Sequence, residues 1–329
     1  MNHPLNSMPP AASTTKRLST QGSPAFARLM RIALAVLLPG FSFGAHAKLN
    51  VVATTPDIAA IAQAVGGNLV EITTLARPTE DAHFVDPKPS FVVKLNKADV
   101  LLHGGADLES GWLPKLLAGA RNRRIAVGAP GNVPCNKGID MLEVPAALDR
   151  SRGDIHAAGN PHYLADPENA KIVAQTIAEA FARLDPGSGA AYQENAGKFI
   201  ERLDAKLAEW RKLLAPYRGA HMVAYHNSWP YFAWRFELKI DLFLEPKPGI
   251  PPSPAHLANV ISRMKELGAR VILHDPYLNR RTAETVARSA GARVVDVTQY
   301  PGGIKGTDGG YIEMMDRVVR AIAEALAEQ

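Results

Sequence analysis

The chain has 329 residues, 47% of them hydrophobic and 21% charged, enough apolar material for the core of one large or two medium globular domains. Its 37 Lys and Arg outnumber its 32 Asp and Glu, but the excess is local: residues 1–47 hold Lys16, Arg17, Arg28 and Arg31 and no acid, so the remainder is near neutral and gives no electrostatic case for nucleic-acid binding. The single cysteine, Cys135, can form no internal disulfide and offers no thiolate cluster for a metal.

In chain order, Arg28 and Arg31 precede an apolar run from Ile32 to Leu38, and FSFGAHA then ends in the A-x-A site Ala45-His46-Ala47. This is the pattern of a secretory signal peptide over 1–47, with cleavage expected after Ala47. The run is too short to cross a membrane. Residues 1–29 are long for the basic head of such a signal, so Met30 is an alternative start. No cysteine follows the run as a lipid attachment point. The expectation is a soluble exported protein, most simply periplasmic.

The next segments alternate. LNVVAT (49–54) reads as a buried strand, Pro56 to Val65 as a helix ended by Gly66-Gly67, and Val70 to Ala76 as a strand. The proline-rich loop RPTEDAHFVDPKPS leads to a helix from Phe91 with Ser90 as its cap. A strand is expected over Asp99–His103, a helix over Leu113–Ala120 and a strand over Arg124–Val127. Residues 132–158, broken by Gly and Pro, read as irregular.

GNPHYLADPENA (159–170) closes this part. Gly-Asn-Pro is turn chemistry, Asp166 is placed to cap a helix, and Pro167 suits the first helical position. That helix runs to Leu184, and DPGSG (185–189) is a turn. In Ala190–Leu214, residues Tyr192, Ala196, Phe199, Ile200, Leu203, Leu207, Trp210 and Leu214 share one face. At 1.5 Å per residue this helix is roughly 37 Å long, which suits a connector along two lobes.

A second alternation follows. Strands are expected over Met222–Tyr225, Lys239–Leu244, Arg270–His274 and Arg293–Val297. Helices are expected over Trp229–Phe236, His256–Leu267, Arg280–Ala290 and Tyr311–Ala327. The glycine loop 302–310 has the order of neither phosphate-binding motif. The whole reads as an α/β protein of two lobes, each a mainly parallel sheet flanked by helices, joined by a long connecting helix. The expected divisions are 48–184, 185–219 and 220–329.

Eight histidines lie beyond residue 47. His83 sits in the loop after a strand, His226 directly after one, and His162 in the turn that ends the first lobe. Ligands of open α/β sheets bind outside the carboxyl ends of strands, and imidazoles gathered there suit a borderline ion such as Zn²⁺ better than Mg²⁺ or Ca²⁺. With intervals of 79 and 64 residues and no local metal motif, spacing alone makes this a weak signal. His156 is near enough to His162 to contribute. His103 and His274, at strand ends, read as structural, and His221 and His256 as surface residues. Asp275 reads as a cap for the turn near Thr282 or as support for a ligand.

The chain from Leu49 onward resembles the periplasmic metal-binding proteins of zinc and manganese ABC transporters, the cluster A-I solute-binding family. The likeness rests on the His83 loop ending in PKPS, on GNPHYLADPENA, HNSWPYFAWRF, PPSPAHL, TAETVA and YIEMM. It implies two lobes beside a long helix, with metal ligands at His83, His162 and His226. A histidine at the third position is the zinc-type choice, where manganese-type members tend to carry a carboxylate. The acid that usually completes the set is missing near Thr298–Gln299, leaving Asp296, Gln299 or a water. The implied role is capture of a divalent metal, zinc first and Mn²⁺, Fe²⁺ or copper as alternatives, for an ABC permease in the inner membrane. The protein is expected to be a monomer and not an enzyme. The rival readings are a zinc-dependent hydrolase, which lacks a metalloprotease motif, and a metal-binding adhesin of the same fold.

Overall fold

The structure is a computed structural model that describes residues 11–16, 47–146 and 156–328. The expected signal peptide falls almost wholly outside the described residues. Residues 11–16 carry neither helix nor strand.

From Ala47 onward the chain builds two sheets of four parallel strands. The first contains β1 (Leu49–Ala53), β2 (Val70–Thr74), β3 (Val100–His103) and β4 (Asn132–Pro134), in the order β2-β1-β3-β4. The second contains β5 (His221–Ala224), β6 (Lys239–Phe243), β7 (Val271–His274) and β8 (Arg293–Asp296), in the order β6-β5-β7-β8. The central strands are apolar on both faces, as parallel strands covered by helices must be: Val51, Val52 and Ala53 in β1 and Val271, Ile272 and Leu273 in β7 are all fully buried.

The helices are α1 (Pro56–Gly66), α2 (Pro89–Lys97), α3 (Leu113–Ala120), α4 (Pro167–Leu184), α5 (Gly189–Leu214), α6 (Pro230–Phe236), α7 (Pro254–Leu267), α8 (Arg280–Ala290) and α9 (Tyr311–Ala327). Five of their starts carry proline at the first position, where no intrahelical N–H is needed. Asp166 caps α4 by accepting from the Glu168 amide at 2.9 Å, and Ser253 caps α7 through the His256 amide.

Two expectations are corrected. Residues 123–125 form a 3₁₀ turn instead of a strand. Only Ile125 of that stretch points inward, Val127 is 88% exposed, and Asn122 caps the turn through the Arg124 amide. The fourth strand is Asn132–Pro134, inside the stretch read as irregular. It follows Gly131, where a Cβ would lie 2.4 Å from the Asp99 carbonyl oxygen, so only glycine lets the chain come in beside β3. Second, Ser90 does not cap its helix. Pro89 opens α2, so Ser90 falls inside the first turn and the cap position is Lys88, which makes no side-chain cap bond.

One hydrophobic core runs through both lobes. It takes the α1 side of the first sheet (Val51, Ile58, Ile61), the buried faces of α4 and α5, and the α9 side of the second sheet (Met222, Leu273, Val318). Two outer clusters cover the opposite faces, under α2 and α3 in one lobe and α7 and α8 in the other. Along α5, Tyr192, Ala196, Phe199, Leu203, Leu207, Trp210 and Leu214 are buried as the periodicity requires. Each buried leucine of this stripe contributes about 1.5–3 kcal/mol. The helix reaches both lobes: Asn195 donates to the Val65 carbonyl at the end of α1, and Trp210 and Lys206 donate to Asp316 on α9. Among the described residues no helix is long and apolar enough to cross a membrane.

Candidate metal centre

Every strand of both sheets points its carboxyl end the same way within its lobe, and the loops leaving those ends carry the histidines. His83 lies in the loop after β2. Asp81 Oδ1 accepts from both the His83 amide (2.9 Å) and Nδ1 (2.8 Å), a local turn that fixes backbone and ring together. The loop is anchored by Trp112 Nε1, which donates to the Ala82 carbonyl at 2.8 Å.

His162 is held from several sides. Asn160 Oδ1 accepts from its amide at 3.0 Å, and the Asn160 carbonyl accepts from the Tyr231 hydroxyl at 2.7 Å. Gln299 Oε1 faces its Nδ1 at 3.0 Å. The ring is 6% exposed. Below it, Asp166 is buried and meets Arg235 of α6 through two hydrogen bonds of 2.7 and 2.8 Å, which ties the head of α4 to the second lobe. His226 follows β5 and gives its Nδ1 to the carboxylate of Glu245, at the end of β6.

The three rings converge. Their centroids are 5.2 Å apart for His83 and His162, 5.5 Å for His83 and His226, and 5.2 Å for His162 and His226. One ring nitrogen from each lies within 4.8 Å of the other two. His162 Nε2 and His226 Nε2 are 3.3 Å apart. Acceptors on each Nδ1 require a proton there in the neutral ring, which leaves the Nε2 lone pairs facing one another. A cavity of about 140 Å³, lined in part by His156, His162, His226 and Asn227, opens beside them.

Burial holds His162 well below the usual imidazole range, with His83 and His226 adding to the effect. Burial also works to lower His226, but the Glu245 carboxylate outweighs it and the net shift is upward. Asp81 is the converse: burial works to raise it, and its hydrogen bond to His83 outweighs that and lowers it. Asp275, fully buried after β7, is pushed up to about 7 by burial, against a 3.3 Å hydrogen bond from Trp229 Nε1.

The remaining sequence candidates separate cleanly. His156 lies beside one member of the group, its Nε2 3.1 Å from His83 Nε2, and stands outside the set of three. Asp296 is turned elsewhere, onto Arg280 at 2.5 Å and His274 Nδ1 at 3.2 Å. Gln299 stands behind His162 with its oxygen on Nδ1. His103 pairs with Asn132 and His274 with Asp296 and the Leu278 carbonyl, both in structural roles. His256, read as a surface residue, is partly buried against the Phe243 carbonyl. Asp275 does not cap the Thr282 turn; Asn279 does, at 3.2 Å. Sequence reasoning missed Asp81 and Glu245 as the carboxylates that orient imidazoles. Asp81 had a signal, since it lies two residues before its histidine. Glu245 had none beyond its place at a strand end.

A model of the family described as zinc-uptake complex component A, periplasmic, matches residues 51–325. The iron-binding protein YfeA of Yersinia pestis is 26% identical over 289 residues, covering 85% of this chain and 87% of the relative. The manganese ABC transporter substrate-binding lipoprotein scaA of Streptococcus gordonii is 25% identical over 288 residues, covering 85% and 90%. Among solved structures, the crystal structure of ZnuA superposes with a TM-score of 0.71 at 24% identity, covering 84% of this chain and 99% of that one, a likeness of fold.

Proposed function

The chain belongs to the periplasmic zinc-uptake complex component A family, and from that premise we propose that it captures zinc at His83, His162 and His226 for delivery to an ABC importer. Its relatives are substrate-binding proteins of metal ABC transporters, not enzymes, and the metals in their names include iron and manganese. The observation that carries the zinc reading is the meeting of three imidazoles from loops of both lobes with their Nε2 atoms turned inward. Neutral imidazole suits zinc, whereas manganese favours carboxylate, carbonyl and water oxygens.

The mechanism follows from the side chains. The ion enters by the cavity beside His156 and His226 and exchanges its water for ring nitrogens. The imidazoles bring no charge, so Asp81 and Glu245, each accepting an Nδ1–H, supply the negative charge that balances the cation from behind the rings. The shared core through α4 and α5 opposes hinge motion of whole lobes, so release proceeds by local movement of the His83 and His226 loops under the permease. The protein acts as an exported monomer, with 1–47 as its signal peptide.

The test is the metal content of protein purified from periplasm, compared with His226→Ala. About one zinc per chain in the native protein and a large loss in the variant is the expected result. Full retention of native metal by the variant would refute the three-histidine site.

A further inference from the structure

We infer that His156 is the fourth ligand of this centre, so that the cargo ion is held by four imidazoles and no carboxylate. This rests on the three-histidine reading above and completes it. At about 2.0–2.1 Å from a tetrahedral zinc ion, ligand nitrogens stand about 3.3–3.4 Å apart. Of the six such edges in a four-ligand shell the structure has two: His162 Nε2 to His226 Nε2 at 3.3 Å, and His83 Nε2 to His156 Nε2 at 3.1 Å. His156 lies beside His83, outside the three whose nitrogens are within 4.8 Å of one another, so its ring turns inward to close the shell. The His83 and His156 centroids are 5.1 Å apart, matching the 5.2 and 5.5 Å that separate His83 from His162 and His226.

The His156 segment is also held in place. The Ala157 amide donates to Asp107 Oδ2 at 3.0 Å, and the Gly159 amide to the His156 carbonyl at 3.1 Å. Asp107 stands in the left-handed region with φ 64° directly after Ala106 at φ 49°, an uncommon pair of non-glycine conformations in the loop that presents this carboxylate.

Most acids near the centre face other groups, and Asp275, buried near His226, takes the Trp229 Nε1–H on one oxygen and leaves the other without a hydrogen bond among the described residues. Asp81 and Glu245 hold Nδ1 atoms, Asp296 faces Arg280 and His274, and Gln299 Oε1 faces the Nδ1 of His162. A shell of nitrogen alone disfavours manganese and magnesium, which want oxygen, and favours zinc and its later-row neighbours. His156 is thereby a selectivity residue as well as a ligand.

Zinc-edge X-ray absorption and chelator competition on the full exported chain test this. The native protein should show four imidazoles. His156→Ala should show three with an added oxygen, with zinc affinity lower by at least about 10-fold. His156→Gln, which supplies an amide oxygen at similar size, should keep zinc binding but narrow its margin over manganese. His103→Ala, paired with Asn132 away from the centre, should change neither readout. Native protein with three imidazoles, or a His156→Ala shell and affinity equal to native, overturns the fourth ligand and leaves the three-histidine site standing. Native protein without stoichiometric zinc overturns both.

Discussion

The two lobes share one topology and use it differently. Their strand orders, β2-β1-β3-β4 and β6-β5-β7-β8, are the same pattern. In the first lobe, besides His162 in the turn before α4, an imidazole comes from the loop after the edge strand β2, and the loop after β1 supplies none. In the second lobe it comes directly after the inner strand β5, and the loop after the edge strand β6 supplies Glu245 instead. Parallel topology brings all strand ends to one side; local chemistry decides which end offers a ligand. The orienting acids differ in the same way. Asp81 is two residues from His83, in its own turn, whereas Glu245 is nineteen residues from His226, just past the end of the neighbouring strand. Orientation is local in one lobe and depends on strand pairing in the other.

The largest test is of the joint between them. Arg235→Ala leaves the Asp166 carboxylate buried without its cation, an expected loss of about 3–5 kcal/mol in denaturant unfolding. A loss of only a few tenths would mean that the lobes are held by apolar packing alone. Next come the ligands. His162→Ala and His226→Ala should each weaken zinc binding by more than about 100-fold, beyond the range for removing an outer partner. If chelator competition finds His226 dispensable and His162 essential, the site belongs to one lobe.

Glu245→Gln should cost about 10–100-fold in zinc affinity, and Asp81→Asn less. Glu245 side-chain exposure is 9% against 31% for Asp81, so its charge is less screened by water. The reverse ranking in isothermal titrations would sink the contrast between local and paired orientation.

The gentlest test is pH. Zinc requires neutral rings, so protons compete with the metal. His226 is held above the ordinary imidazole value of 6.5, and His162 well below it, so His226 is protonated before His162 as pH falls. The fall in affinity should therefore set in above the ordinary imidazole range, by up to about tenfold per unit for that proton. Glu245→Gln, which removes the cause of the upward shift, should move the onset to lower pH. An onset unchanged in that variant would show that another group governs it.

Much of the fold is written locally. The bounds Leu113–Ala120, Arg280–Ala290 and Tyr311–Ala327 follow from apolar spacing and from Gly or Pro at the ends. The fourth strand is hidden because Asn-Val-Pro has a single buried residue, Val133, and is a strand only by lying against β3. His83 and His162 announce themselves by turn chemistry and family likeness. Glu245, and the meeting of His156 with His83, depend on contacts across 19 and 73 residues, which no window of sequence displays.

The core that passes unbroken from one sheet to the other makes the lobes a single cooperative folding unit. A chain cut in the 185–189 turn would give two pieces, each exposing half of one interior, and neither is expected to fold alone. Calorimetry should accordingly record one transition. Zinc should raise it as a whole, because an ion bound only by the native state stabilises everything that melts with its site.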